Sequence, residues 1–119
     1  MLQKPTFRGG RNIAMKVPAH QFDATIESYC RLGIPILDQS STHVTFQFGP
    51  IHLHVDKVAN LSQAEIWLEF VVSDAKAATG YLEQGNFVRC DEVELLPRDY
   101  PGFWVTSPSS IVHLVTEKE

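Results

Sequence analysis

The sequence predicts an α+β fold of two β-α-β-β-β modules, at about residues 11–58 and 64–117 of a single domain spanning 1–119. Three observations predict it. A strand with period-two alternation, a helix with an apolar stripe and three short β-rich runs follow one another twice. Each helix pattern stops at a glycine, Gly33 in the first and Gly85 in the second. The length of 119 residues suits one domain with one real core.

Taken in order, a short arm containing Gly9 and Gly10 precedes "NIAMKV", where Ile13, Met15 and Val17 alternate with Asn12, Ala14 and Lys16 as in a half-buried strand. Pro18 closes it. From about Ala19 to Leu32, Phe22, Ile26, Tyr29 and Cys30 recur at i, i+4, i+7 and i+8, the stripe of an amphipathic helix. Gly33 supplies the left-handed stop, with Pro35 beyond it. "IPILDQS", "HVTFQFG" and "IHLHVD" then read as an antiparallel meander turned by "SST" and "GP", and "KVANLSQA" as a connector.

The order restarts at "IWLEFVV", where Ile66, Leu68, Phe70 and Val72 oppose Trp67, Glu69 and Val71. Ser73 or Asp74 can cap a helix carrying Ala75, Ala78, Tyr81 and Leu82 at helical spacing, ended by Gly85 as Gly33 ended the first. Strands follow at "FVRCDEVEL", "GFWVTS" and "IVHLVTE", with Pro101, Gly102, Pro108, Ser109 and Ser110 in the turns.

Composition excludes several classes of function. Hydrophobic residues make up 44% and charged residues 20%, which is globular rather than disordered. A net charge of −4, without basic runs, lacks the footprint that phosphate backbones require, so nucleic acid is not an expected partner. No apolar stretch approaches the roughly 20 residues that span a bilayer, and "MLQKPTFRGGRN" has no apolar secretory core. The expectation is a cytoplasmic protein with no membrane partner. Two cysteines make no disulfide framework; Cys30 reads as a buried inert thiol on the helix stripe, and Cys90, beside Arg89 and Asp91, stays open. Nucleophile-elbow, P-loop and H-E-x-x-H signatures do not occur.

The strings "NIAMKV", "SYCRLGIPIL", "WLEFVVSD", "LEQGNFV" and "GFWVTSPSSIVHLVTE" stand in an order and spacing that resemble the vicinal oxygen chelate superfamily, the glyoxalase, bleomycin-resistance protein and extradiol dioxygenase group. The likeness covers residues 12–117. One departure is "TSPSS" before the last strand, where such proteins often carry an Asp-Pro-Asp-Gly type turn. Pro108 and the serines can support that turn through local hydrogen bonds.

The resemblance implies modules packed side by side with curved mixed sheets, one face on the helices and the other lining a cavity. Alternation then sends Asn12, Ala14 and Lys16, His52, His54 and Asp56, Trp67, Glu69 and Val71, and Ile111, His113 and Val115 to the cavity; a one-residue slip would reverse any of these. Metal-dependent members bind one divalent ion through four inward residues, which match Asn12, His52, Trp67 and His113. Imidazole suits first-row metals. Asn12 is a poor ligand, and Trp67 offers only a donor. Glu69, a strand repeat along from Trp67, is the substitute carboxylate.

The leading expectation is therefore a small-molecule binding protein of the glyoxalase and bleomycin-resistance type, without a cofactor or complete metal set. Asn12, His52, Trp67, Glu69 and His113 line its pocket, and the ligand is aromatic or cationic because a Trp beside a carboxylate can stack such groups. The alternative is a lyase or dioxygenase using one divalent metal ion on His52, His113 and Glu69. A purely structural dimerisation module is the third class. His54 reads as a rim residue, His20 and His43 as surface, and Asp91, Glu92 and Glu94 as a solvated strand face. Resemblance and the open edges of small curved sheets predict a homodimer.

Overall fold

The structure, a computed structural model, describes residues 4–118; residues 1–3, with that part of the secretory-signal reading, and residue 119, the ends of the expected 1–119 domain, lie outside the described residues. Among the described residues nine strands and two α-helices follow one another in an α+β arrangement: β1 (Phe7–Gly9), β2 (Asn12–Pro18), α1 (Ala19–Arg31), β3 (Ile36–Gln39), β4 (His43–Phe48), β5 (Ile51–Val58), β6 (Glu65–Val72), α2 (Ala75–Gln84), β7 (Val88–Arg89), β8 (Gly102–Thr106) and β9 (Val112–Thr116). The chain divides into two compact units, Arg11–Trp67 and the segments on either side of it. No described helix is long and apolar enough to cross a membrane.

In the Arg11–Trp67 unit the strands lie in the order β3-β4-β5-β2, with the first residues of β6 beside β2. β2 and β5 run parallel, while β3-β4, β4-β5 and β2-β6 are antiparallel. The parallel pair is possible because α1 carries the chain between strands. Val17, Phe22, Val44, Phe46, Leu53 and Val55 form its core, with Ile13, Met15, Ile26, Tyr29 and Ile34 packed on it. Gly33, at φ +80°, ends α1 in the left-handed region as its sequence position suggested.

Cys30 is exposed, against expectation. At about 100° per residue it stands roughly 80° around the helix from Phe22, whereas Tyr29 falls within about 20°. The narrow stripe therefore closes at Tyr29. β5 also runs on through Lys57 and Val58, shortening the expected connector.

The other unit places β6 between β1 and β9, followed by β8 and β7. β6 and β9 are parallel, and α2 packs Ala75, Ala78 and Leu82 against Val72, Phe103, Val105 and Val115, with Phe70 and Phe87 alongside. Asp74 caps α2, its carboxylate accepting from the Ala77 N–H at 3.1 Å. Gly85 does not supply the left-handed stop; its φ is −88°, and Asn86 takes the positive angle instead at 68°. Asparagine tolerates that region better than other residues with a Cβ.

Two further expectations change here. The N-terminal arm contains a strand, β1, paired antiparallel with Phe70–Val72; three residues are too few to show a period. The run "FVRCDEVEL" is a strand only at Val88–Arg89 and then forms a 3₁₀ turn at Asp91–Val93. Asp91 ends the strand by accepting from Arg89 Nε at 2.9 Å and from the Trp104 backbone N–H at 3.1 Å. Asp91, Glu92 and Glu94 thus do not form a strand face.

Candidate functional site

On the first unit's sheet, the core claims Val17 from β2, Val44 and Phe46 from β4, and Leu53 and Val55 from β5. Alternation then turns Asn12, Ala14 and Lys16, His43, Thr45 and Gln47, and His52, His54 and Asp56 to the opposite face. Register sorts them into rows. Asn12 and Gln47 flank His52, Ala14 and Thr45 flank His54, and Lys16 and His43 flank Asp56. β6 adds Trp67 beside Ala14 and Glu65 beside Lys16.

These polar groups are tied to one another. Lys16 Nζ donates to Asp56 Oδ2 at 2.7 Å, and His43 Nδ1 lies 2.5 Å from Asp56 Oδ1. His43 Nε2 is 2.7 Å from Thr45 Oγ1, which is 3.1 Å from His54 Nδ1; His54 Nε2 is 2.8 Å from Asn12 Oδ1. The two imidazoles stack with centroids 5.5 Å apart. Lys16 Nζ also sits 4.3 Å from the centre of the Trp67 ring, whose Nε1–H donates to Glu65 at 3.0 Å. Lys16 at 4%, Thr45 at 6% and Trp67 at 9% exposure are buried, so these bonds act in a medium where unpaired groups are costly.

Electrostatics follow from that burial. Burial alone would raise the Asp56 carboxyl, but hydrogen bonds and charge from Lys16 and His43 outweigh it and hold it below its ordinary range. Burial, reinforced by neighbouring His43, lowers the His54 imidazole and favours its neutral form. His52 stands in the same face with no hydrogen-bond partner for its ring among the described residues. It is the one imidazole there with both nitrogens uncommitted.

His43, read from sequence as surface, and His54, read as rim, are therefore internal members of a chain. Counting outward from the two-residue turn Gly49-Pro50 would have found them, since a hairpin turn fixes every facing pair from Phe48–Ile51 to His43–Asp56. Lys16 and Asp56 were legible only as facing the right way.

The second unit treats its candidates differently. β6 turns Phe70 and Val72 toward α2 and therefore Glu69 and Val71 away. Glu69 is 8% exposed, and its carboxyl lies against Gly10, where an added side chain would push it aside. The register Leu68–His113 and Phe70–Val115 puts His113 and Val115 on the α2 face, with Leu114 beside Glu69 on the other. The expected inward set Ile111, His113 and Val115 is thus reversed.

His113 is a core histidine. Its ring stacks on Phe70 at 4.8 Å and meets the edge of Phe87 at 5.8 Å, while Nδ1–H donates to the Ile111 carbonyl at 2.9 Å. The cause is a single step of register: paired with Leu68, His113 takes the place in β9 that Leu53, paired with Ile13, takes in β5. A cleft of about 250 Å³ lies elsewhere in this unit, bordered by Arg89, Leu96, Tyr100 and Trp104.

The residues matched to a metal set, and Glu69 with them, are placed as follows. Trp67 donates to Glu65, and His113 and Glu69 leave opposite faces of one sheet. Among the described residues no three His, Cys, Asp or Glu side chains are grouped to hold a metal ion.

No family model matches the sequence, and no curated protein is significantly similar to it. Solved structures are similar in fold. The Mn(II)-bound glyoxalase from Novosphingobium aromaticivorans superposes with a TM-score of 0.63 at 17% identity, covering 90% of this chain; the chain spans 38% of that protein. The NAD-dependent benzaldehyde dehydrogenase from Legionella pneumophila gives 0.54 at 10% identity over 87% of this chain and 96% of its own. A bleomycin resistance determinant encoded on the transposon Tn5 gives 0.34 at 14% identity, covering 89% and 96%, too low a score to bear on the fold. The chain has the fold of the vicinal oxygen chelate superfamily.

Proposed function

We propose that this protein binds a small organic molecule, as expected of a glyoxalase and bleomycin-resistance type fold, on the polar face of the Arg11–Trp67 unit and without a divalent metal. The observation that carries the reading is His52: an uncommitted imidazole on a face whose other polar groups already hold one another in place. Such preorganised neighbours leave one group to meet the ligand, with little ordering cost on binding. Asn12 and Trp67 stay in the proposal as its flanks. His113 does not, and Glu69 is closed against Gly10 in its own unit.

Of the two ligand types expected, the aromatic is favoured over the cationic. The Trp67 ring already carries the Lys16 ammonium at 4.3 Å, so a ligand cation would have to displace it. A metal-dependent lyase or dioxygenase using His52, His113 and Glu69 is disfavoured by the opposed faces of the last two.

The test uses Trp104→Phe, which leaves Trp67 as the sole tryptophan of the two. Titration with small aromatic compounds is expected to change Trp67 emission saturably, and His52→Ala to weaken the affinity about tenfold, the worth of one hydrogen bond. A panel that perturbs neither emission nor melting temperature refutes binding. About one divalent metal per chain by elemental analysis, lost in His52→Ala, would instead restore the enzyme.

A cytoplasmic location and a homodimer are proposed with it. β3 is the outer strand of its unit and exposed along its length, with Leu37 at 51% and neighbouring Leu32 at 74%. Light scattering is expected to give twice the chain mass of 13.4 kDa. A monomer at micromolar concentration counts against it.

A further inference from the structure

The chain of side chains from Asp56 to Asn12 has a direction, and its proton inventory can be written out. An ionised Asp56 only accepts, so His43 Nδ1 carries a proton. With Asn12 Oδ1 turned to His54 Nε2, that nitrogen carries a proton too. A neutral His54 then accepts at Nδ1 from the Thr45 hydroxyl, and Thr45 Oγ1, its one proton spent, accepts from His43 Nε2–H. His43 is therefore doubly protonated in this arrangement, its charge lying beside Asp56 and opposite the Lys16 partner of that carboxylate.

We propose that His43, Thr45 and His54 form a proton relay that delivers and recovers a proton at His54 Nε2, with the positive charge resting at His43 beside Asp56 before delivery and after recovery. The transfer balances. A basic nitrogen or oxyanion, from a ligand or from solvent, takes the proton from His54 Nε2; the Thr45 hydroxyl proton passes to His54 Nδ1; the His43 Nε2 proton passes to Thr45 Oγ1. Three N–H or O–H bonds break and three form. His43 ends neutral with its proton on Nδ1, Thr45 now donates to His43 Nε2, and His54 has exchanged an Nε2–H for an Nδ1–H. Uptake of a proton reverses every step.

Burial and the neighbouring His43 disfavour charge on His54 itself, which suits a group that passes a proton on without storing it. The groups facing the relay are Lys16 from β2, Asp38 in register with Thr45 on β3, His52 and Asp56 from β5, and Glu65 and Trp67 from β6. Of these, Asp56 is the carboxylate that touches a relay ring, which is why the charge belongs at the His43 end. Asn12 Oδ1 occupies the acceptor's place. The inference rests on the binding reading of this face only in supposing that a ligand atom takes that place; Thr45 and His43 are positioning residues.

The experiment needs no ligand. Imidazole nitrogen NMR on the full ¹⁵N-labelled chain reports which nitrogen of each of the five histidines holds a proton, over about pH 5 to 8, where imidazoles change charge. The His54 proton is expected on Nε2 at the acid end and on Nδ1 at the alkaline end, where the Asn12 amide turns its NH₂ to the bared Nε2, the change keeping step with loss of charge at His43. Thr45→Val, which keeps the branched shape but not the hydroxyl, is expected to uncouple the two rings, and Thr45→Ser to restore them. A His54 proton fixed on one nitrogen while His43 changes charge overturns the relay, as does an undiminished coupling in Thr45→Val. Should the valine variant not fold, the wild-type and serine spectra decide. A silent ligand panel would leave a positive NMR result standing, so the two proposals fail separately.

Discussion

Phe46→Ala is expected to cost about 4 kcal/mol of folding stability, the largest effect of any single change considered for this chain. The ring is fully buried at 0% exposure on β4, among Val17, Phe22, Val44, Leu53 and Val55. It meets the edge of Tyr29 at 5.4 Å and 76°, so truncation removes an aromatic pair as well as buried area. The strands on two sides and α1 above limit collapse into the space. Phe46→Leu, which keeps most of the volume, is expected to lose roughly 1 to 2 kcal/mol. Urea unfolding measures both, and a loss below about 1 kcal/mol for alanine would mean that the cluster repacks freely.

Asp56→Ala is expected to cost about 3 kcal/mol, because it removes the carboxylate bonded to a buried ammonium and to one end of the His43 chain. Lys16 is only 5% exposed at its side chain, while Asp56 at 24% retains some solvent, which moderates the figure. The charge left behind is the cause, so adding Lys16→Met to Asp56→Ala is expected to recover much of the loss. A double variant no more stable than the single one would contradict that cause.

The same carboxylate has a pH signature. Its pKa is lower in the folded chain than in the unfolded one, so its contribution is full above about pH 4 and lost as pH falls through the folded value. His54 is also lowered; its contribution is full above about pH 6.5 and lost as pH falls toward its own folded value. Melting temperature is thus expected to fall in two stages on acidification, with Asp56→Ala lacking the lower one.

The candidate site was legible in part. "IHLHVD" showed that His52, His54 and Asp56 share a face, and β2 and β5 bear this out with Asn12, Ala14 and Lys16 alongside. That His43 joins them could have been counted from Gly49-Pro50, but the sequence offers no measure of which polar residues will find partners and which will face water. That depends on side chains from four strands arriving within hydrogen-bonding distance.

By itself the sequence determined the strand and helix order from Asn12 to Gln84, the stripe of Phe22, Ile26 and Tyr29, the stop at Gly33 and a cap at Ser73 or Asp74, because each depends on a few residues in succession. The fold class followed from the repetition of that order. Only the tertiary structure decided the fate of His113. Alternation states that neighbours point to opposite faces; it does not state which face the core claims. In β5 the core took Leu53 and Val55 and left the histidines outside it, whereas in β9 the pairing of Leu68 with His113 and Phe70 with Val115 drew the histidine in against two phenylalanines. A buried imidazole whose Nδ1–H reaches a carbonyl can be accommodated in such a core, so nothing in the local sequence "IVHLV" forbade it.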